Sequence, residues 1–280
     1  MLLKRLSRKI TKGFLVYSCL LLAGGLMLIP LLWMLSTSLK DVNEVFKYPP
    51  KFIPTVFKPM NYINGLSTLP FGRYVLNTLS ILLLSMFGGL CSSTLVGYGF
   101  ARLKAPGKEL LFMFVLATMM IPFQVTMIPM FIVFQRLGWI DTFKPLIVPS
   151  FFGIPVYIFL FRQFFKTIPK DFDEAAKIDG CSMFGTFWRI MLPLAKPVIA
   201  VVMMFQFIFG WNDFTGPLIY LMSPNKRTFA LGLYGMVDTY NAEWNLIMAV
   251  AVVALVPCVL IFLLAQRKFT EGVVMMGLKG

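Results

Sequence analysis

Residues 168–193 read Ile168-Pro-Lys-Asp-Phe-Asp-Glu-Ala-Ala-Lys-Ile-Asp-Gly180, then Cys-Ser-Met-Phe-Gly-Thr-Phe-Trp-Arg-Ile-Met-Leu-Pro193. Asp171 is placed to cap a helix N-terminus, and Glu174 follows three residues on, as a capping box requires. Acidic groups in that first turn also favour the helix dipole. Phe172, Ala175, Ala176 and Asp179 fall on one face at i, i+3, i+4, i+7 spacing. Gly180 is a natural C-terminal stop, and Ser182 is placed to cap a second helix that ends near Pro193. The pattern predicts two short helices at a sharp angle, with small residues (Ala175, Ala176, Gly180) where a partner's backbone could come close. On local physics alone, a surface helical hairpin in which Glu174 merely caps is the simpler description.

On both sides of this loop the chain is strongly apolar. Of 280 residues 58% are hydrophobic and 14% charged, against roughly 25% charged in a soluble domain. With a mean hydropathy of +0.80, most of the chain must face lipid, which excludes an aqueous enzyme or a disordered protein. Charge-free runs cover 13–39, 74–101, 110–135, 145–161, 197–225 (interrupted only by Asp213) and 244–266. Each approaches or exceeds the 20 or so residues needed to cross a bilayer, although 145–161, at 17, is short. The expected fold is an all-α integral membrane protein with six transmembrane helices.

Six spans put both termini on one side. With the N-terminus inside, the inner segments 1–12, 102–109, 162–196 and 267–280 hold 17 Lys and Arg, and the outer segments 40–73, 136–144 and 226–243 hold nine. This asymmetry favours N-in/C-in and accounts for the net charge of +14 without nucleic acid. The basic cluster Lys4, Arg5, Arg8, Lys9 and Lys12 precedes a 27-residue run, longer than the about 7–15 residues of a signal peptide core, so an uncleaved first helix is expected. The first outer loop carries Pro49, Pro50, Pro54 and Pro59 and is expected to be extended or irregular. Pro30, Pro122, Pro129, Pro149, Pro155, Pro217 and Pro257 lie within the spans, and each removes a backbone donor. Broken helices around a path fit a transporter, while ordinary kinks in a bundle account equally well for any single proline.

The long pattern Glu174-Ala175-Ala176, Gly180, Ile190-Met191-Leu192-Pro193 resembles the EAA motif of ABC importer membrane subunits. Further stretches extend the likeness: Asn77-Thr78-Leu79, Tyr98-Gly99-Phe100-Ala101-Arg102-Leu103, Ile121-Pro122, Ile128-Pro129, Leu137-Gly138-Trp139 with Asp141-Thr142, Phe161-Arg162-Gln163-Phe164-Phe165, and Trp211-Asn212-Asp213-Phe214. Together these resemble carbohydrate importer permeases of the maltose-transporter type, specifically the shorter six-span partner. The likeness covers one permease domain over 1–280, most securely about 70–270. Cys181, where Ala is commoner, and the outer loops depart from it.

The resemblance implies a type I importer fold in a bacterial or archaeal cell membrane. It makes 162–196 a cytoplasmic loop in which Glu174, Ala175, Ala176, Asp179, Gly180, Ile190, Leu192 and Pro193 couple to an ATPase. Implied partners are a second permease subunit in a heterodimer, two cytoplasmic ATPase subunits, an extracytoplasmic sugar-binding protein and membrane lipid. No cofactor is expected on this chain; ATP and Mg belong to the ATPase. Polyol or glycerol phosphate substrates fit the same branch.

Asn77, Gln124, Thr126, Gln206, Trp211, Asn212 and Asp213 are candidates to line the path. Intramembrane polar groups are functional hypotheses, but interhelical bonds, or satisfaction of a break near Gly216-Pro217, account for them too. Arg162, Lys166 and Lys170 are most simply topological charges. The chain is not expected to be an enzyme. It has no His, its Cys at 19, 91, 181 and 258 form no C-x-x-C pair, and Gly107-Lys108 is followed by Glu109, so there is no P-loop. An ion-coupled carrier working alone would want several intramembrane ionisable residues, and only Asp213 qualifies.

Overall fold

The computed structural model describes residues 2–237 and 242–277, with side chains over 13–237 and 242–266. The basic side chains Lys4, Arg5, Arg8, Lys9, Lys12, Arg267, Lys268 and Lys279, part of the topological count, lie outside those described. All regular elements among the described residues are helical. Gly13–Ser38, Phe71–Arg102, Lys144–Thr167 and Trp244–Gln266 are long and apolar enough to cross a membrane. Two further apolar stretches are bent pairs: Lys108–Thr118 with Phe123–Arg136 at 96°, and Met183–Leu194 with Lys196–Trp211 at 74°. The chain thus has four such helices, or six spans if each bent pair counts as one.

One unit comprises Met1–Leu69 and Gly235–Leu255. It holds α1 (Leu2–Ser38), α2 (Val42–Val45), α3 (Met60–Ser67) and the start of the C-terminal helix (Trp244–Gly277). The outer loop is more ordered than its prolines suggested. Asn61 Nδ2 donates to the carbonyls of Ser38 (2.9 Å) and Lys40 (2.8 Å), closing the loop back on the end of α1. Glu44 accepts from the N–H and hydroxyl of Thr55, at 3.0 and 2.6 Å. Lys58 pairs with Asp41. Lys40 is buried with its ammonium 4.3 Å over the Trp33 ring. Helix α3 lies close against the C-terminal helix: a Cβ on Gly65 would stand 3.0 Å from the Leu246 carbonyl.

The other unit comprises Pro70–Tyr234 and Val256–Gly280. Its elements are α4 (Phe71–Arg102), α5 (Lys108–Thr118), α6 (Phe123–Arg136), α7 (Lys144–Ile147), a 3-10 turn (Val148–Phe152) and α8 (Pro155–Thr167). Then come α9 (Asp171–Ile178), α10 (Met183–Thr186), a π-helical turn (Phe187–Met191), α11 (Leu192–Leu194), α12 (Lys196–Trp211), α13 (Thr215–Tyr220) and α14 (Phe229–Gly235).

Helix α4 is the spine of this unit, packing on α8, the 3-10 turn, α12, α7 and α5. Gly97 makes the α4–α8 contact close, since a Cβ there would meet Phe161 Cβ at 2.6 Å. A core of Tyr98, Tyr157, Phe161, Phe164, Phe165, Phe187, Met191, Ala195, Val198 and Val202 joins α4, α8, the π turn and α12.

The fourth apolar run differs from expectation. It spans Lys144–Thr167, 24 residues, and is built from α7, the 3-10 turn and α8. A charge-free count stops at Arg162, but the helix does not. Arg162 is 5% exposed, its Nη2 lies 2.6 Å from Glu109 Oε2, and its guanidinium sits 3.8 Å over the Phe112 ring. Opposite charge and a ring face make a buried guanidinium tolerable. Arg162 is therefore a tie between α8 and α5 rather than a topological charge only.

The break within this span needs partners, because lipid offers none to a free N–H or C=O. Helix α4 supplies them. Ser93, fully buried, accepts from Ile154 N at 3.0 Å, and Ser92 Oγ donates to Ser150 O at 2.9 Å. Thr78 Oγ1 likewise accepts from Phe229 N at 2.9 Å, where α14 begins. In the loop between α6 and α7, Asp141 adopts φ +58. Its carboxylate accepts from Met222 N (3.0 Å), Ser223 N (2.9 Å), Ser223 Oγ (2.6 Å) and Lys226 Nζ (2.8 Å), clamping this loop to the turn after α13.

Ser93→Ala leaves the Ile154 N–H unpaired and is expected to cost about 1–2 kcal/mol, read as a lower midpoint of thermal unfolding in detergent. A loss of only a few tenths would show that this bond does not hold the break. Lys226 and the Ser223 donors hold the Asp141 carboxyl well below the ordinary carboxylate range. Its contribution to stability is thus present above about pH 4 and lost as pH falls through the lowered value. Asp141→Asn should destabilise at pH 7, with the gap from wild type closing toward pH 2–3 (an approximate window). A gap independent of pH would refute the clamp's charge.

Candidate coupling loop and translocation path

The loop after α8 folds as two short helices. Ile168, before Pro169, is extended at ψ 131 and ends α8. Helix α9 then starts one residue earlier than the capping-box pattern suggested. Lys170 occupies the N-cap with helical angles and no side-chain cap, and its carbonyl accepts from both Asp173 N (2.9 Å) and Glu174 N (3.1 Å). Asp171 is therefore the first helical residue, not the cap, and the Pro169-Lys170 turn replaces the box. Asp171, Asp173 and Glu174 still place three carboxylates in the first turn, where the helix dipole favours them.

The end of α9 follows the sequence expectation. Gly180 has φ +74, Cys181 N donates to Ala176 O (2.9 Å) and Gly180 N to Lys177 O (3.1 Å), which together form a Schellman motif. A Cβ at Gly180 would meet nothing within 4 Å, so conformation rather than space requires glycine there. Ser182 caps α10 through Gly185 N at 3.1 Å.

Pro193 shapes what comes next. It has no N–H to give the carbonyl of Arg189, and its ring crowds that carbonyl. The preceding turn widens to a π-helix over Phe187–Met191, closed by Leu192 N donating to Phe187 O. Met191 is fully buried and Leu192 packs on the core, while Ile190 is half-buried and Pro193 exposed.

The two halves of the motif thus differ. The second half is anchored in the bundle. On α9, Ala176 is buried, while Glu174, Ala175, Asp179 and Gly180 are exposed. Large apolar groups also stand out from this loop: Ile178 is 87%, Phe184 66% and Trp188 59% exposed. A surface so apolar in a loop of carboxylates and lysines is suited to a partner.

One link ties α9 to the bundle, and no local pattern announces it. Arg102, the last residue of α4, has a side chain only 8% exposed. Its Nη1 lies 3.1 Å from Asp173 Oδ2 and its Nη2 donates to Ile168 O at 2.6 Å. The two partners are far apart in sequence, and the only signal was a basic residue closing an apolar run.

The path candidates do not gather at one point. Asn77 Nδ2, near the start of α4, donates to the carbonyls of Asn225 and Arg227, both at 2.9 Å. Gln206 on α12 is buried and donates to Ser85 O at 2.8 Å. Trp211 is 5% exposed between the rings of Phe207 and Phe229. Asn212 Nδ2 donates to Ile208 O (2.8 Å), and Asp213 Oδ1 accepts from Gly216 N (3.1 Å), satisfying the break between α12 and α13. Gln124 is exposed just past the bend between α5 and α6, and Thr126, half-exposed, donates to Phe123 O at 3.0 Å.

Residues 93–274, which include the whole loop, match the family described as binding-protein-dependent transport system inner membrane component. The chain belongs to this family. Its relatives extend over nearly its full length. It is 34% identical over 260 residues to the arabinooligosaccharides transport system permease protein AraQ of Bacillus subtilis, covering 91% of this chain and 92% of that one. It is 31% identical over 273 residues to the sn-glycerol-3-phosphate transport system permease protein UgpE of Yersinia pestis, covering 94% and 97%. Among solved structures, a chain of a bacterial ABC transporter that imports the acidic polysaccharide alginate superposes with a TM-score of 0.80 at 21% identity, over 93% of this chain and 95% of that one. The fold is that of an importer permease, and this permease is an inner-membrane component.

Proposed function

We propose that this chain is the permease subunit of an ATP-driven importer for saccharides, with α9 as the element that a separate ATPase grips. The observation that carries the reading is the division of the EAA-like loop. Its first helix is exposed, stiffened by a Schellman end and bonded to α4 through Arg102–Asp173, and its second half is sunk in the core. Force applied to Glu174, Ala175, Asp179 or Gly180 reaches the bundle through that bond and through Ala176. Ile190, Leu192 and Pro193 transmit it into α12.

The basic asymmetry of the segments supports a cytoplasmic loop and inner termini. ATP and Mg would be held by two ATPase subunits, and a second permease subunit would complete the path. A binding protein would deliver substrate, in keeping with the family's description and with the alginate transporter crystallised with its oligosaccharide-bound periplasmic protein. Saccharide import rests on relatives such as AraQ, and the likeness to UgpE supports glycerol phosphate as the second reading. Within the path, Gln124 and Thr126 at the α5–α6 bend are the best placed to meet substrate. Asn77, Gln206, Trp211, Asn212 and Asp213 serve chiefly to hold helix ends and breaks.

In cells lacking the gene and complemented with variants, uptake of labelled oligosaccharides, monosaccharides, polyols and glycerol phosphate names the substrate. Glu174→Lys and Gly180→Pro should lower that uptake by about tenfold or more, as expected for loss of about 1.4 kcal/mol or more of coupling, with membrane insertion intact. Gly180→Asn, which tolerates positive φ, should retain most of it. Normal uptake with both disruptive variants would overturn the assignment.

A further inference from the structure

A cavity of about 720 Å³ opens beside α9, walled by three separate stretches: the end of α4 with the start of α5, the face of α9, and the start of α10. Five cationic side chains line it (Arg102, Lys104, Lys108, Lys170 and Lys177) against two carboxylates, Asp173 and Glu174. One of those carboxylates is already committed to Arg102. Among the described residues no carboxylate pairs with Lys104, Lys170 or Lys177. Arg102 carries a further mark: its Nε is buried and has no hydrogen-bond partner, although both of its terminal nitrogens do. A guanidinium N–H left open in a basic cavity calls for an anionic oxygen.

Positive-inside topology alone does not account for this. It asks only that Lys and Arg lie in inner segments, not that residues from two such segments converge on one hollow around an unsatisfied guanidinium. We infer that this cavity binds a phosphate group, carried by the headgroup of an acidic membrane lipid or present as free phosphate. Basic pockets at the cytoplasmic face of helical membrane proteins hold such headgroups. Tyr98, near the end of α4, also lines the hollow and gives it an aromatic wall at the depth where α4 leaves the bilayer. The inference rests on the loop facing the cytoplasm, as proposed above. An occupant there would touch α9, α4 and α5 together, and so hold the coupling helix against its strut.

The test uses the full-length chain purified in detergent and stripped of lipid, then titrated with phosphatidylglycerol or phosphatidylcholine under native mass spectrometry. Wild type should retain phosphatidylglycerol in preference to phosphatidylcholine. Lys104→Gln with Lys108→Gln should weaken phosphatidylglycerol retention about 10- to 30-fold, given the contribution of each basic residue near an anionic headgroup, with the thermal midpoint unchanged. Equal retention by wild type and variant, or no preference for the acidic lipid together with no phosphate binding, would overturn the proposal. The second arm follows inorganic phosphate by ³¹P NMR. Binding that the double variant loses, with displacement of lipid, assigns the site to free phosphate; lipid retention undisturbed by phosphate assigns it to the headgroup. Neither readout involves transport. Intact lipid retention alongside normal uptake in Glu174→Lys would sink the coupling assignment and leave the pocket standing. The reverse pair of results would sink the pocket alone.

Discussion

A peptide group inside a bilayer has no water to fall back on, and this chain breaks its helices repeatedly at membrane depth. The rest of the structure follows from how those breaks are satisfied. The 3-10 turn and the Gly153-Ile154 step are held by Ser92 and Ser93 of α4, and the start of α14 is held by Thr78 of the same helix. The break after α12 is met by Asp213. Small hydroxylated residues on one long helix therefore license irregular backbone around it. Glycine at position 97 lets α8 approach closely enough for that arrangement to pack.

Charge is used in the same economical way. Arg162 is a buried cation in an apolar run, tolerated because Glu109 and the Phe112 ring meet it. Arg102 is buried at the end of α4 and reaches Asp173 and the Ile168 carbonyl. These two arginines join the segments on either side of α9 to the two helices that form the unit's central contact. The coupling loop is thus neither a free hairpin nor a rigid part of the core. It is a surface element with one ionic tether, and its tail is embedded.

Much of this was legible in the sequence. The apolar runs located every long helix, because composition alone decides what can lie in lipid. Gly180 and Ser182 marked their turn, because a positive φ and a capping hydroxyl are local requirements. The breaks at Pro122 and after Asp213 were also marked locally. What was not legible depended on distant partners. The fourth run looked too short because Arg162 counted as a charge until Glu109 neutralised it. Asp171 looked like a cap until the Pro169-Lys170 turn took its place. The path candidates resembled sugar ligands because an amide in a helix reads the same whether it faces a cavity or a neighbouring carbonyl. Asn77 and Gln206 proved to face carbonyls.

The π-helical turn at Phe187–Met191 has a geometric consequence of its own. An α-helix advances about 100° per residue, so a turn that holds one residue too many sets the azimuth of everything after it. Should that extra residue be absorbed or released, α12 would swivel about its own axis by roughly that angle without lengthening appreciably. Faces now turned toward α4 would be presented elsewhere. The tail of the loop is therefore a rotary joint in its construction, seated where Pro193 prevents the turn from closing into an ordinary helix.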